Sequence, residues 1–234
     1  MLAIYKRELS AYFTTPIGYV FCAVFLALSG AVFSYTTLFS MKADVTTYFT
    51  AMLILLVVLV PLLTMKLFSE ERKQRTEQLL LTAPVSLYGM VGGKFLAAYT
   101  LFAGCSLLSF CSFFLLYFYA HVKTAMLFGN LVALLLLGMT FISIGLFVSA
   151  LTENQLAAAV GTVGILLVLM LISIVNSIIP VYWIRFVLSS ISVFARFQNF
   201  TQGVFDISAL IYYLSVSVAF LFLTVRVFER RRGG

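Results

Sequence analysis

Charged side chains are so widely spaced along this sequence that the intervals between them can be measured against the thickness of a bilayer. An Asp, Lys or Arg at the centre of a membrane helix costs about 2.5–3.5 kcal/mol on the insertion scale, and a hydrocarbon core of ~30 Å takes about 20 residues to cross. Six uncharged runs are long enough: 9–41, 45–65, 95–122, 124–152, 154–184 and 207–225, with 33, 21, 28, 29, 31 and 19 residues. The runs 186–195 and 197–205 are too short. Only 10% of the 234 residues are Asp, Glu, Lys or Arg and 63% are hydrophobic, against about 25% and roughly 45–50% in soluble domains, so the chain cannot clothe a water-facing surface. Trimming the runs at turn residues and polar flanks gives an all-α membrane protein. Its six transmembrane helices are expected near 17–39, 49–67, 91–119, 126–150, 157–179 and 207–227, in a single transmembrane domain over 1–234.

An even number of spans puts both ends on one side, and basic residues say which, because cytoplasmic segments retain Lys and Arg. One side carries eleven: Lys6, Arg7, Lys66, Arg72, Lys73, Arg75, Lys94, Arg226, Arg230, Arg231 and Arg232. The other carries four: Lys42, Lys123, Arg185 and Arg196. Both termini are therefore expected in the cytoplasm, and the net charge of +7 reads as an orientation signal. No cleavable leader is expected, since the first 16 residues mix polar and apolar types and the long apolar run has no small-x-small processing site. Within 1–16, Leu2, Tyr5, Leu9 and Tyr12 recur at helical spacing, Lys6, Arg7 and Ser10 fall elsewhere on the wheel, and Pro16 closes the segment. That pattern predicts an interfacial amphipathic helix under the inner leaflet, with an ordinary polar leader as the plainer reading.

The segments between spans are unequal. Residues 66–94 hold 8 of the 23 charged side chains, whereas the other inside turn, Thr152 to Leu156, is five residues long. Ser69 to Arg75 reads as a hydrophilic helical exit from the second span, with Glu70, Glu71 and Arg72 at its foot. Thr76, Glu77, Gln78, Leu79, Leu80, Leu81 and Thr82 read as a short helix that Ala83 and Pro84 break. Three leucines there need a partner or the membrane surface to bury against; failing that, the loop is a solvated hairpin. Ser86 is placed to cap the third span, and Gly89, Gly92 and Gly93 permit close backbone approach. In Thr152-Glu153-Asn154-Gln155 the spacing suggests a capping box, Thr152 as N-cap and Gln155 reaching back. On the outside, Pro180, Tyr182 and Trp183 mark an interface belt. Two apolar pieces separated by Arg196 follow, and they suggest a re-entrant or surface-lying helical pair over 180–206 with Gln198, Asn199 and Gln202 toward water.

No constellation for chemistry emerges. Gly89 to Phe95 invites a phosphate-loop reading and fails it, because Tyr88 stands where the first glycine belongs and Phe95 replaces the metal-binding hydroxyl. Lys94 is read instead as an interface anchor. His121 has no second ligand beside it, and Cys105 and Cys111, six apart, read as small apolar packers. The spans carry no Asp, and no inverted repeat or intramembrane charge supports a proton-coupled carrier. Asn176, the most polar deep residue, is expected to hydrogen-bond between helices. A membrane chain with no catalytic set that gives a charged hairpin to one side suggests a subunit powered by another protein.

Three stretches carry a family resemblance: Tyr5-Lys6-Arg7-Glu8-Leu9 with Tyr12-Phe13 and Thr15 to Tyr19; Phe68 to Arg72 through Thr76 to Ser86 and on to Gly93-Lys94; and Phe197 to Phe200 with Gly203 to Asp206. Through them the chain resembles the permease subunit of ABC transporters of the type-2 exporter superfamily. It is most similar there to the bacterial gliding-motility-type permeases, with those of nitrous-oxide-reductase maturation near. The resemblance implies a connecting helix at the membrane surface (2–14, with Tyr5, Lys6, Arg7 and Glu8). It also implies a coupling helix in the 68–90 loop that meets the ATPase through Thr76, Glu77, Gln78, Leu79, Leu80, Leu81 and Pro84. A minor second contact at Thr152, Glu153, Asn154 and Gln155 and outside re-entrant helices complete the pattern. The implied partners are two cytoplasmic ATPase subunits, which bind ATP and Mg while this chain binds no cofactor, a second or paralogous permease, the lipid bilayer and an envelope accessory protein. Nucleic acid is not among them. The implied work is export or mechanical work across a bacterial inner membrane; a stand-alone six-span channel or scaffold is the alternative.

Overall fold

A computed structural model describes residues 1–40, 45–76, 86–119, 124–178, 192–201 and 206–233. Nine α-helices are defined among them: α1 (Leu2–Thr14), α2 (Pro16–Phe33, continued by a π-helical turn over Ser34–Phe39), α3 (Val45–Thr64), α4 (Ser69–Lys73), α5 (Leu87–Tyr119), α6 (Thr124–Leu151), α7 (Gln155–Ile178), α8 (Val193–Thr201) and α9 (Ile207–Gly233). Six are long and apolar enough to cross a membrane: α2, α3, α5, α6, α7 and α9.

Helix α6 is the centre of the bundle, touching α3, α5, α7 and α8 and packing most extensively on α9. Small residues let its neighbours come close. A Cβ at Gly138 would overlap the Phe102 ring of α5, and one at Gly145 would overlap Thr64 of α3. Several polar groups inside this packing bond along their own helices or across one interface, as bilayer interiors favour, whereas Ser106 Oγ and Asn130 Oδ1 are buried without a partner. Thr140 Oγ1 donates to Leu136 O at 3.1 Å, and Ser217 Oγ to Tyr213 O at 2.8 Å. Asn176 Oδ1 is likewise buried without a hydrogen-bond partner.

Several boundaries move from their sequence-based positions for identifiable reasons. The second span starts at Val45, where Val45, Tyr48 and Phe49 are already core, and ends at Thr64 rather than 67. The chain then turns over 65–68 because Ser149 Oγ of α6 accepts the Phe68 and Ser69 N–H groups at 3.1 and 3.2 Å. Those are donors that a continuing helix would have used. Ser86 does cap α5, accepting Gly89 N–H at 3.2 Å.

Helix α1 turns a different face inward. Its buried residue is Ile4, with the half-buried Glu8 and Tyr12 following on the same side, while Leu2 is exposed. It lies along the glycine-rich start of α5, where a Cβ at Gly93 would approach Ile4 Cγ2 to 3.1 Å. Arg196 does not divide two pieces; α8 runs through it, and its guanidinium sits 4.2 Å over the Tyr212 ring. Phe194, Phe197 and Phe200 bury α8 against α6 and α7. Residues 180–191 and the side chains of Gln198, Asn199 and Gln202 lie outside the described residues. The three cysteines are free thiols, and Cys105 packs against Cys22 with the sulfurs 3.1 Å apart.

Candidate functional site

The charged loop begins and ends at one buried cation. Lys94, on the second turn of α5, is 1% exposed. Its Nζ donates to Leu67 O at 2.8 Å, pairs with Glu71 Oε1 at 2.8 Å and Glu8 Oε1 at 3.2 Å, and lies 5.2 Å over the Phe68 ring. The expected interface anchor is therefore an interior one. A snorkelling lysine needs free water at its tip, and here α1 and α4 close over it. Arg7 joins from α1, at 2.6 Å from Glu8 and 3.4 Å from Glu71. Two cations and two carboxylates thus balance in one cluster. Burial pushes the Glu71 carboxyl above its ordinary range against the pull of Lys94, and Glu71 Oε2 is buried without a partner. The guanidinium of Arg7 is held up by its bond to Glu8.

A second set of contacts ties the same region to the C-terminal end of α6, whose last carbonyls lack intrahelical partners. Arg72 Nη1 donates to Leu151 O at 2.9 Å, and Arg231 of α9 to Ala150 O at 2.7 Å. Arg72 also pairs with Glu153 at 2.8 Å. Ser149 completes the joint, taking two N–H groups from the 65–68 turn and donating to Met65 O at 3.2 Å. Beyond it, α4 ends in a Schellman motif: Arg75 is left-handed at φ 58°, its N–H bonds Arg72 O, and Thr76 N–H bonds Glu71 O. The direction in which the loop leaves the bundle is fixed by that backbone.

The residues expected at the foot of the second span separate. Glu71 enters the cluster, Arg72 reaches α6, and Glu70 lines a cavity with Lys66. From α1, Arg7 and Glu8 join the cluster, Tyr5 is half-buried and Lys6 is exposed. Of the expected coupling residues only Thr76 is described; Glu77, Gln78, Leu79, Leu80, Leu81 and Pro84 lie outside the described residues. At the second turn the capping box is corrected. Helix α6 runs to Leu151, so Thr152 Oγ1 bonds back to Val148 O at 3.3 Å, and Asn154 Oδ1 caps α7 by accepting Leu156 N–H at 2.9 Å. Gln155 is the first residue of α7. Lys94 and Ser149 were missed; the one sequence signal for Lys94 is a lone cation inside an apolar helix start with carboxylates elsewhere on its side of the membrane.

Six candidate membrane-crossing helices with a charged loop braced at one end define a multi-pass membrane component. Residues 14–232 match the model of a family described as ABC-2 family transporter protein, and the chain belongs to that family. No curated protein matches it. Membership makes it a non-catalytic ABC-2 permease, with the ATPase in a partner subunit. The match opens at the last residue of α1, so Arg7 and Glu8 lie ahead of it.

Proposed function

We propose that this chain couples ATP hydrolysis by a separate cytoplasmic ATPase subunit to export of a substrate, or to mechanical work, across a bacterial inner membrane. Residues 76–83 act as the coupling helix, seated in the ATPase by Leu79, Leu80 and Leu81. Both termini are cytoplasmic, and two permeases face each other above two ATPase subunits. The observation that carries this reading is the Lys94 cluster. It pins the loop where it leaves α3, through Leu67 O and Glu71, and where it returns in α5, and it adds α1 through Glu8. A push on the loop is then delivered to three helices at once, and Arg72, Glu153 and Ser149 extend it to α6.

The experiment is to replace Leu80 and Leu81 with Asp and to measure ATPase co-purification and transport-coupled hydrolysis. The reading expects both to fall about tenfold or more, as when an apolar anchor is lost from the centre of an interface. Unchanged values for both contradict it.

A further inference from the structure

Between α1, α2 and the α3–α4 junction the bundle is open in two adjoining cavities. One of about 130 Å³ is lined by polar groups that include Glu8, Tyr12, Thr15, Lys66 and Glu70. Another of about 250 Å³ runs between α2 and α3 and is walled by Ile17, Val20, Val24, Leu59 and Leu62. Ile17 and Lys66 line both, so the two adjoin and together make a cleft whose charged groups lie toward the end of the bundle and whose apolar wall lies toward its middle. From Ile17 to Val24 the apolar part descends about 10 Å along α2 at 1.5 Å per residue. Val20 is 58% exposed and Leu62 44%, so the cleft opens sideways, where acyl chains lie.

The charges in the polar part are unequally satisfied. Glu8 is held by Arg7 and Lys94. Lys66 has no ion pair among the described residues, and Glu70 has one long hydrogen bond, from Gln74 Nε2 at 3.4 Å. The two are four residues apart, but the turn at 65–68 interrupts the helix and they form no ion pair with each other. A cation and a carboxylate held apart on one cavity wall, above an apolar slot open to lipid, match a headgroup carrying both signs. An anionic headgroup would meet Glu70, and a purely cationic one would meet Lys66.

We propose that this cleft binds a phospholipid with a zwitterionic primary-amine headgroup, of the phosphatidylethanolamine class. Its phosphate sits at Lys66, its ammonium at Glu70, and one acyl chain lies along Ile17, Val20, Val24, Leu59 and Leu62. The lipid braces α1 on α2 and α3 beside Glu8, the carboxylate that also pairs with Lys94.

Native mass spectrometry of the purified full-length chain, titrated with acyl-matched phosphatidylethanolamine, phosphatidylglycerol and phosphatidylcholine, tests this. The wild type is expected to bind one phosphatidylethanolamine about tenfold tighter than either competitor, the worth of one charge-assisted hydrogen bond; phosphatidylcholine has no N–H to give Glu70. Glu70→Gln is expected to collapse the preference over phosphatidylglycerol, and Lys66→Gln to weaken all three phospholipids. Val20→Trp, which fills the slot from an exposed position, is expected to release lipid whatever its headgroup. Phosphatidylglycerol bound as well as phosphatidylethanolamine, a preference unchanged in Glu70→Gln, or lipid retained in Val20→Trp overturns the proposal. Displacement of the lipid by an equal concentration of soluble phosphoethanolamine overturns the acyl half of it. If Lys66→Gln does not fold, Glu70→Gln decides the headgroup and Val20→Trp the slot.

Discussion

At the end of the bundle that carries α1 and α4, Lys94 gathers two carboxylates and a carbonyl from other elements. At the opposite end, Phe33, Tyr48, Phe49 and Phe113 close α2, α3 and α5 with packed rings and no ion pair among the described residues, their centroids 4.8–6.3 Å apart. Tyr48 adds a hydrogen bond between its OH and Ser109 Oγ, 2.7 Å apart. The contrast follows from what each interaction can do. Ring packing is tolerant of sliding, so helices can pivot about it with little loss. A buried ion cluster is directional and cannot be opened without stranding charge, so elements joined by it move as one body. The bundle is thus stiff where the charged loop enters and accommodating where α2, α3 and α5 meet the far side.

The sharpest way to break that contrast is Lys94→Met. It leaves Glu8 and Glu71 with the half-exposed Arg7 as their one cation among the described residues, and losing the buried partner is expected to cost about 3 kcal/mol, the low end for breaking a buried pair. The thermal midpoint of the detergent-solubilised chain should fall steeply, and the triple change Lys94→Met, Glu8→Gln, Glu71→Gln should restore most of it. A triple variant no better than the single one would mean that the site is held by shape, not charge. Phe113→Ala at the other end is expected to cost about 3 kcal/mol, the low end for a buried ring, because lipid solvates part of the exposed surface. Its effect should be indifferent to neutralising the ionic cluster, and strong coupling between the two ends in a double-mutant cycle would erase the distinction. The smallest change is Ser149→Ala, about 1–3 kcal/mol for two buried N–H groups left without an acceptor. Hydrogen exchange should then rise at Phe68 and Ser69 before it rises in α3.

How much of this was legible beforehand depended on how far the cause lay from its effect. The helices could be placed because intervals between charges are a local property, and the Ser86 cap could be placed because its partner is three residues away. The break at 65–68 could not, since Ser149 causes it from 81 residues further along. Apolar periodicity puts Leu2, Tyr5, Leu9 and Tyr12 on the leaflet-facing side of α1 and says nothing of a face packed on protein. The face that packs runs through Ile4, Glu8 and Tyr12, and a carboxylate in such a stripe makes sense only once Lys94 is opposite it. The same applies to Lys94, whose anchor role was the reasonable reading while Glu8 and Glu71 were merely elsewhere in the chain. At 152–155 the residues fit a capping box, but α6 extended far enough to take Thr152 for itself.

The central claim is that the stiff, ionic end is the one presented to the cytoplasm and its ATPase. Labelling intact cells with a membrane-impermeant maleimide tests it directly, using single-cysteine chains made by Glu77→Cys or His121→Cys after the three native cysteines are replaced by Ala. The account predicts that the His121→Cys chain labels from outside and the Glu77→Cys chain labels only after the cells are opened. Labelling of the Glu77→Cys chain in intact cells would contradict it.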